Sequence, residues 1–541
     1  MISLLDLQVG IAGVLLGASV VSLGFTAQWA WRTWQDADVT RGDLLSMLGI
    51  LAAAIAVRLA LPVRLATVFI GYRTTTHAID LAEVQHYGFG APVLYNAVFQ
   101  FFDPDHLTLM RTNTALGILL IPLAATWGLQ LLRDRRAGLL VGLLIAVLPI
   151  FVRNDTSDAN NVPCLLWLFA GLVTWHRALT SGRSLELLAA LPLLALAAIG
   201  RPELPLLVPV YLALSAWAEA PWRQRLGLRP LVGAGVVWLL LVSPHMAHIL
   251  GRALWLQASD SLPGFSLLEI EDPWKVFHER TILFRWDLLP AAIPILAAAA
   301  LWRPPAGGQK VERALILMAL LTIVPTMIDV DRANIARVQV PVVLFLLFPA
   351  AAGLLRIGDR FGRRWGHGAL VAAIALTAIP TGVTLFAPTN GDHEESLFAE
   401  ARARLPTRPH TLVVRWDGDH ASGDESGRRT HLHLPGYWFQ PPGGSSWLRS
   451  IQQWMVTEDL SQPTFFLRTV RCYARFRAWE APPAEGENLC EPCRRILEGY
   501  DLRPVFEREV PNRGNVWINY YGDAPTLTLG LYEILGPRVA P

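Results

Sequence analysis

Two carboxylates, Asp80 and Glu83, sit in a polar stretch from Gly71 to Asp103 that follows a long apolar run. A carboxylate held there could accept the proton of a hydroxyl group as its oxygen attacks. Arginines occupy comparable places, Arg201 in the turn Arg201-Pro202-Glu203 between two apolar runs, and Arg332 and Arg337 just ahead of another. Arginine suits a phosphate, because its planar fork donates two hydrogen bonds at once and stays charged. Two more acids, Asp155 and Asp158, lie three apart in the short polar loop from Arg153 to Asn161. A base and cations at the ends of apolar runs place transfer chemistry at a membrane surface.

The elements that must position these groups are membrane helices. Of 541 residues, 53% are hydrophobic and 17% charged, and the mean hydropathy is +0.37; most of the chain therefore lies in lipid. The net charge of +2 gives no footprint for nucleic acid. Basic residues are nearly all arginine, with Lys275 and Lys310 the only lysines, a bias that points to a GC-rich, bacterial coding source. The start, Met1 to Asp6, has no positive region and no small-residue cleavage site before Arg32, which argues for a retained first span.

About 12 apolar runs can cross a bilayer, the first at 4–31 and the last at 368–387, with those at 138–152, 185–199 and 314–328 short. Alternate loops are compact and basic, such as Arg133, Arg135 and Arg136, or Arg356, Arg360, Arg363 and Arg364. The bias of arginine to the cytoplasmic side then places both termini and the Gly71–Asp103 segment outside. Within that segment, Val93 to Phe102 is apolar but too short to span, as expected of an interfacial helix. Residues 1–388 thus form a helical polytopic membrane domain with its first external loop at 71–107. Residues 389–541 are polar and rich in Pro and Gly, with strand-like runs at 411–416 and 464–470 and a helix near Cys493–Tyr500. They read as a separate α/β or mostly-β domain outside the membrane.

The carboxylate-bearing loop after an early helix, followed by Tyr87-Gly88-Phe89-Gly90-Ala91-Pro92-Val93-Leu94-Tyr95, resembles the first external loop of the GT-C glycosyltransferases. The likeness is to the protein-mannosyltransferase-like branch, and it covers roughly residues 44–387. The Arg201-Pro202-Glu203 hairpin and the late stretch Arg337-Val-Gln-Val-Pro341 resemble family features in the same order. In that branch an acidic pair usually directly follows the helix; here Tyr72-Arg73-Thr74 stands there, and Gly90-Ala91-Pro92-Val93-Leu94 replaces a Pro-Pro-Leu motif. The resemblance implies transfer of a sugar from a polyprenyl-phosphate carrier to an acceptor on the extracytoplasmic face, with inversion at the anomeric carbon.

On that reading Asp80, with Glu83 in reserve, is the catalytic base, and Arg337, Arg332 and Arg201 meet the donor phosphate. Asp155 and Asp158 fall where similar enzymes help hold the donor or a divalent cation such as Mg or Mn. Two oxygen ligands do not themselves make a metal site, and Ser157, Asp158 and Asn160 are equally good helix N-caps. Arg201 could instead pair with Glu203 and finish the turn. His245 and His248 lack an assignable third ligand for zinc. Outside the cytoplasm, Cys472 is expected to bridge either Cys490 or Cys493, leaving one thiol over. Partners would be the lipid-linked donor, membrane lipids and a glycan, lipid or protein acceptor, and the C-terminal domain would cover the site or select that acceptor. The seat would be a bacterial inner membrane. A transporter or flippase of a lipid-linked substrate is the alternative, against which stand the absence of an inverted repeat and of ionisable residues in mid-helix. A GT-C-like membrane scaffold without catalysis is a third reading.

Overall fold

The computed structural model describes residues 4–61, 88–157, 159–219, 225–258, 281–284, 289–301, 309–328, 339–362, 390–415, 447–473, 489–512 and 524–538, with a few single positions between them. They fall into two compact units, one made of the helices up to 361 and one of the elements from 390 onward.

The first unit is helical. Its elements are α1 (Leu4–Asp36), α2 (Arg41–Ala60), α3 (Pro92–Phe99), α4 (His106–Leu132), α5 (Arg135–Val147), α6 (Pro149–Asp155), α7 (Asn161–Ser181), α8 (Ser184–Ala198), α9 (Leu204–Ala218), α10 (Leu228–Ala258), α11 (Ala292–Ala299), α12 (Gln309–Ile328) and α13 (Val340–Phe361). Among the described residues six helices are long and apolar enough to cross a membrane, or seven if the bent pair α5 and α6 counts as one span. The chain is a helical polytopic membrane protein. The short run at 185–199 is the 15-residue helix α8, whereas the short run at 314–328 lies within the 20-residue α12; α9 also has 15 residues. The run at 138–152 is not one straight span: it bends by 62° between α5 and α6. Pro149 has no N–H to offer the carbonyl of Ile145, so the ladder breaks there. The last run, 368–387, lies outside the described residues.

Helix starts follow local capping. Thr40 accepts from the Asp43 amide at 3.1 Å while the Asp43 carboxylate accepts from the Thr40 amide at 2.8 Å, a reciprocal box that opens α2. Asp105 and Asp134 cap α4 and α5 in the simpler way. Burial sorts the helices into centre and rim: the apolar stretch of α7 is 94% buried and that of α13 83%, against 11% for α2. The centre is aromatic. Trp127 packs edge-on against Phe169 and Phe348, with ring centroids 5.4 and 4.9 Å apart. On α1 the inward stripe is polar: Gln8 donates to the Pro244 carbonyl, Thr26 bonds Thr174, and Trp34 donates to Thr126.

The basic turns gather at one end of this unit, and four of their arginines have an acid beside them. Arg135 pairs with Asp43 at 3.0 Å, Arg133 with Glu219 at 3.1 Å, Arg177 with Glu186 at 3.4 Å, and Arg356 with Glu312. The turn from Arg201 to Glu203, the α6–α7 loop and α3 lie at the other end, as the up-and-down order of helices requires.

The second unit is a five-stranded sheet in the order β2-β1-β3-β5-β4, with helices. It runs α14 (Asn390–Arg404), β1 (Thr411–Val414), β2 (Trp447–Ser450), α15 (Ile451–Thr457), β3 (Thr464–Arg468), a 3-10 turn (Val470–Tyr473), α16 (Glu491–Gly499), β4 (Tyr500–Pro511) and β5 (Thr526–Pro537). β1 pairs parallel to β2 and β3, whereas β5 runs antiparallel to β3 and β4. Strands β1 and β3 and helix α16 stand where the strand-like and helical runs of the sequence predict them. Arg471 donates to Glu394 at 2.9 Å with both side chains buried; burial pushes the Glu394 carboxyl above its usual range, and Arg471 opposes that.

A disulfide joins Cys472 in the 3-10 turn to Cys493 in α16 and leaves Cys490 as a thiol. It closes a loop of 21 residues. Replacing Cys493 with serine is expected to cost about 2–5 kcal/mol of stability in this unit, since the open loop restores entropy to the unfolded chain. Cys490→Ser should leave the melting curve where it is. Thermal unfolding of the two variants, with peptide mapping under non-reducing conditions, checks both; a melting loss in Cys490→Ser alone would assign the bridge to the other pair.

Candidate functional site

At the end opposite the basic turns, three of the sequence-singled stretches meet. Pro92 supplies the first turn of α3, where a missing N–H costs nothing. The helix presents Tyr95 inward, wholly buried, and its hydroxyl donates to Asn113 Oδ1 of α4 at 2.6 Å. The Asn113 amide in turn donates to the carbonyls of Ser157 and Ala159 at 2.8 and 3.1 Å. Thr114, the next residue, donates to the Asp155 carbonyl at 3.1 Å. One face of α4 therefore holds the 155–159 loop by its backbone and carries it to the helix that follows the first-loop stretch.

The Gly88–Gly90 stretch docks on the other hairpin. Gly88 has a φ of +83°, and a Cβ there would lie 2.1 Å from the Ile199 carbonyl oxygen and 2.5 Å from His245. The Gly90 amide donates to that same carbonyl at 3.2 Å. A side chain at Gly90 would meet the backbone of Leu196 and Gly200. Both glycines are thus required by close approach to the end of α8, just ahead of Arg201. Arg201 itself is buried and donates to Glu203 at 2.9 Å. The pairing anticipated as an alternative for this turn is made.

Asp155 is not exposed for a ligand. Its side chain is buried against Arg58 near the end of α2, whose Nη2 and Nε lie 2.6 and 3.0 Å from Oδ2. The remaining Arg58 donors reach the carbonyls of Ala146 at 3.0 Å and Ile145 at 3.4 Å. Those carbonyls are the ones left open by the break at Pro149. Arg58 thus stitches the bent α5–α6 pair and neutralises the acid at its end, at full side-chain burial. Gly117 makes room for the carboxylate: a Cβ there would sit 2.1 Å from Asp155 Cγ. Both members of this pair sit at helix ends, Arg58 in the last turn of α2 and Asp155 at the end of α6, where a charge looks like a flank until its partner is seen.

Asn160 takes the N-cap position of α7, but its side chain makes no cap bond there. Ser157 instead donates to the Asn154 carbonyl at 2.8 Å and accepts from the Ala159 amide at 3.3 Å, closing the loop on itself. Among the described residues no three His, Cys, Asp or Glu side chains converge as a metal site would need. Asp155, with Oδ2 accepting two guanidinium N–H groups, is held in an ion pair with Arg58. Asp80, Glu83, Asp158, Arg332 and Arg337 lie outside the described residues. Tyr95, Asn113 and Arg58 belong to this end of the molecule without having been singled out by residue type.

Residues 91–248 match the family model described as dolichyl-phosphate-mannose-protein mannosyltransferase. This segment is protein-mannosyltransferase-like. The matched segment holds α3, the Tyr95–Asn113–loop chain and the Arg201 hairpin, and the likeness to GT-C glycosyltransferases read from the sequence stands on that match. Two solved structures are also similar. ArnT from Cupriavidus metallidurans bound to undecaprenyl phosphate has 13% identity and a TM-score of 0.49, over 78% of this chain and 92% of that one. The archaeal oligosaccharyltransferase AglB from Archaeoglobus fulgidus, in complex with an inhibitory peptide and a dolichol-phosphate, has 12% identity and a TM-score of 0.47, over 75% of this chain. The match spans 60% of that protein's length. No curated protein matches the chain.

Proposed function

We propose that the chain is a membrane glycosyltransferase that moves a sugar from a polyprenyl-phosphate carrier to a hydroxyl acceptor, on the face of the membrane where α3 and the Arg201 turn lie. The observation that carries the reading is the overlap between the mannosyltransferase-like segment and the joined loops: residues 91–248 contain the network from Tyr95 through Asn113 to the 155–159 loop. In the proposed step the acceptor oxygen attacks the anomeric carbon and the bond from that carbon to the phosphate oxygen breaks. Asp80, or Glu83 in its place, takes the hydroxyl proton. Arg337, with Arg332, meets the negative charge that grows on the departing polyprenyl phosphate. Attack opposite the leaving group inverts the anomeric centre. A divalent cation, Mg or Mn, would fall to Asp158 and the first-loop acids, because Asp155 is held by Arg58. The arginine-rich end would face the cytoplasm of a bacterial inner membrane, and residues 389–541 would be extracytoplasmic.

The test is transfer of labelled sugar from a panel of polyprenyl-phosphate donors by membranes carrying the full chain. Wild type is expected to transfer label, and Asp80→Asn and Arg337→Ala to lose about 10²-fold or more, the scale of a general base or of one charge-stabilising donor. Chelation before assay separates a cation-dependent step from an independent one. Loss with Glu83→Gln but not Asp80→Asn moves the base to Glu83. Full activity in both carboxylate variants would remove the catalytic assignment, and accumulation of intact donor across vesicles would favour a flippase.

A further inference from the structure

Near the arginine-rich end, α7, α8, α9 and α10 line a groove of about 860 Å³. Its walls are apolar, among them Trp175, Leu191, Leu212, Trp217 and Trp238. Glu219, just past the end of α9, is the one charged residue lining it among the described residues. Its carboxylate accepts from Arg133 Nη2 at 3.1 Å, and its other oxygen lies 3.9 Å from Nε2 of His176. The carboxylate is 7% exposed, whereas the Arg133 side chain that meets it is 74% exposed. The arrangement is an apolar slot in a membrane unit, with one anion and one exposed cation side by side at its polar end.

That pattern matches a single class of amphiphile. Chains from the bilayer fill an apolar slot within a helical membrane unit, and the head then rests at the arginine-rich end. A head with both signs meets both protein charges, phosphate to Arg133 and ammonium to Glu219. A purely anionic head would bring a second anion beside Glu219. A choline head has no N–H to donate to the carboxylate. We propose that this groove binds one ethanolamine-type aminophospholipid, its primary ammonium on Glu219, its phosphate on Arg133 and an acyl chain between Trp217 and Trp238. The proposal stands apart from the sugar-transfer reading and survives its failure.

The test uses the full chain, purified in detergent and stripped of lipid, titrated with phosphatidylethanolamine, phosphatidylcholine or phosphatidylglycerol and read by native mass spectrometry and melting temperature. One phosphatidylethanolamine is expected to bind about tenfold tighter than either other lipid, the scale of one charge-assisted hydrogen bond, and to raise the melting temperature. Glu219→Gln should erase that preference. Gly235 lines the same groove, and a Cβ there meets no atom within 4 Å; Gly235→Leu therefore projects a side chain into the slot and should weaken binding of all three lipids while the protein stays folded. If Glu219→Gln does not fold, the Gly235 variant decides by itself. Equal binding of phosphatidylcholine or phosphatidylglycerol by wild type, or undiminished binding of phosphatidylethanolamine by folded Gly235→Leu, overturns the proposal.

Discussion

Arg58→Met is expected to destabilise the helical unit by about 3–5 kcal/mol, because it strands a buried carboxylate. Asp155 sits with its side chain 2% exposed and has Arg58 within 2.6 Å. The variant also takes away the donors that meet the Ile145 and Ala146 carbonyls. Set against a total stability of about 5–15 kcal/mol for a folded domain, that loss is a large fraction and should lower the amount that accumulates in membranes. The double variant Arg58→Met/Asp155→Leu removes both charges and keeps the volume. Buried pairs replaced in this way are often neutral or better, so the double variant should recover much of the loss. The two carbonyls at the break stay unmet, so recovery stops short of wild type. Denaturant or thermal unfolding in detergent measures the cycle. An Arg58→Met protein as stable as wild type would mean the pair does not hold the bend. Activity of the folded double variant separates two roles: transfer near the wild-type rate makes Asp155 a clamp, and transfer lost despite folding makes it a donor ligand.

That pair also shows what could be read in the sequence and what could not. Apolar run length found α1, α2, α4, α7, α10 and α13, because a bilayer imposes one length on every span. The alternation of β1 and β3 with polar turns was legible for the same kind of local reason. The bend at Pro149 was written in a single residue, yet run length alone reads across it. Asp155 drew notice as an acid in a polar loop. Its partner lies 97 residues earlier, and no local spacing encodes a contact of that separation. Arg58 carried a signal of its own, as a charge beside an apolar run where an unpaired cation is costly. Asn113 carried none: an asparagine within a spanning helix is legible only as a polar residue that must find a partner.

Gly88→Ala is expected to cost at least about 10²-fold in sugar transfer while leaving the helical core intact. The residue is held at a φ of +83°, where an L side chain costs about 1–2 kcal/mol. Its Cβ would press on the Ile199 carbonyl oxygen at 2.1 Å, and that atom is backbone at the end of a buried helix. A flexible side chain could swing away; this oxygen cannot. The strain is relieved by lifting the Gly88–Tyr95 stretch from the hairpin, which breaks the bond from the Gly90 amide to Ile199. Tyr95 then shifts against Asn113, and through it against the 155–159 loop. Displacements of about 1 Å in groups that position a substrate suffice for a 10²-fold loss. The packing of Trp127 on Phe169 and Phe348 lies elsewhere and is untouched, so the melting temperature should fall far less than activity does. Gly49→Ala is the matching control, since a Cβ there meets no atom within 4 Å and alanine favours the helix. Transfer by Gly88→Ala at the wild-type rate would separate the first-loop stretch from the chemistry. A large melting loss in step with activity would instead make the glycine a requirement of the fold, and the ratio of the two effects is what tells a positioning contact from a structural one.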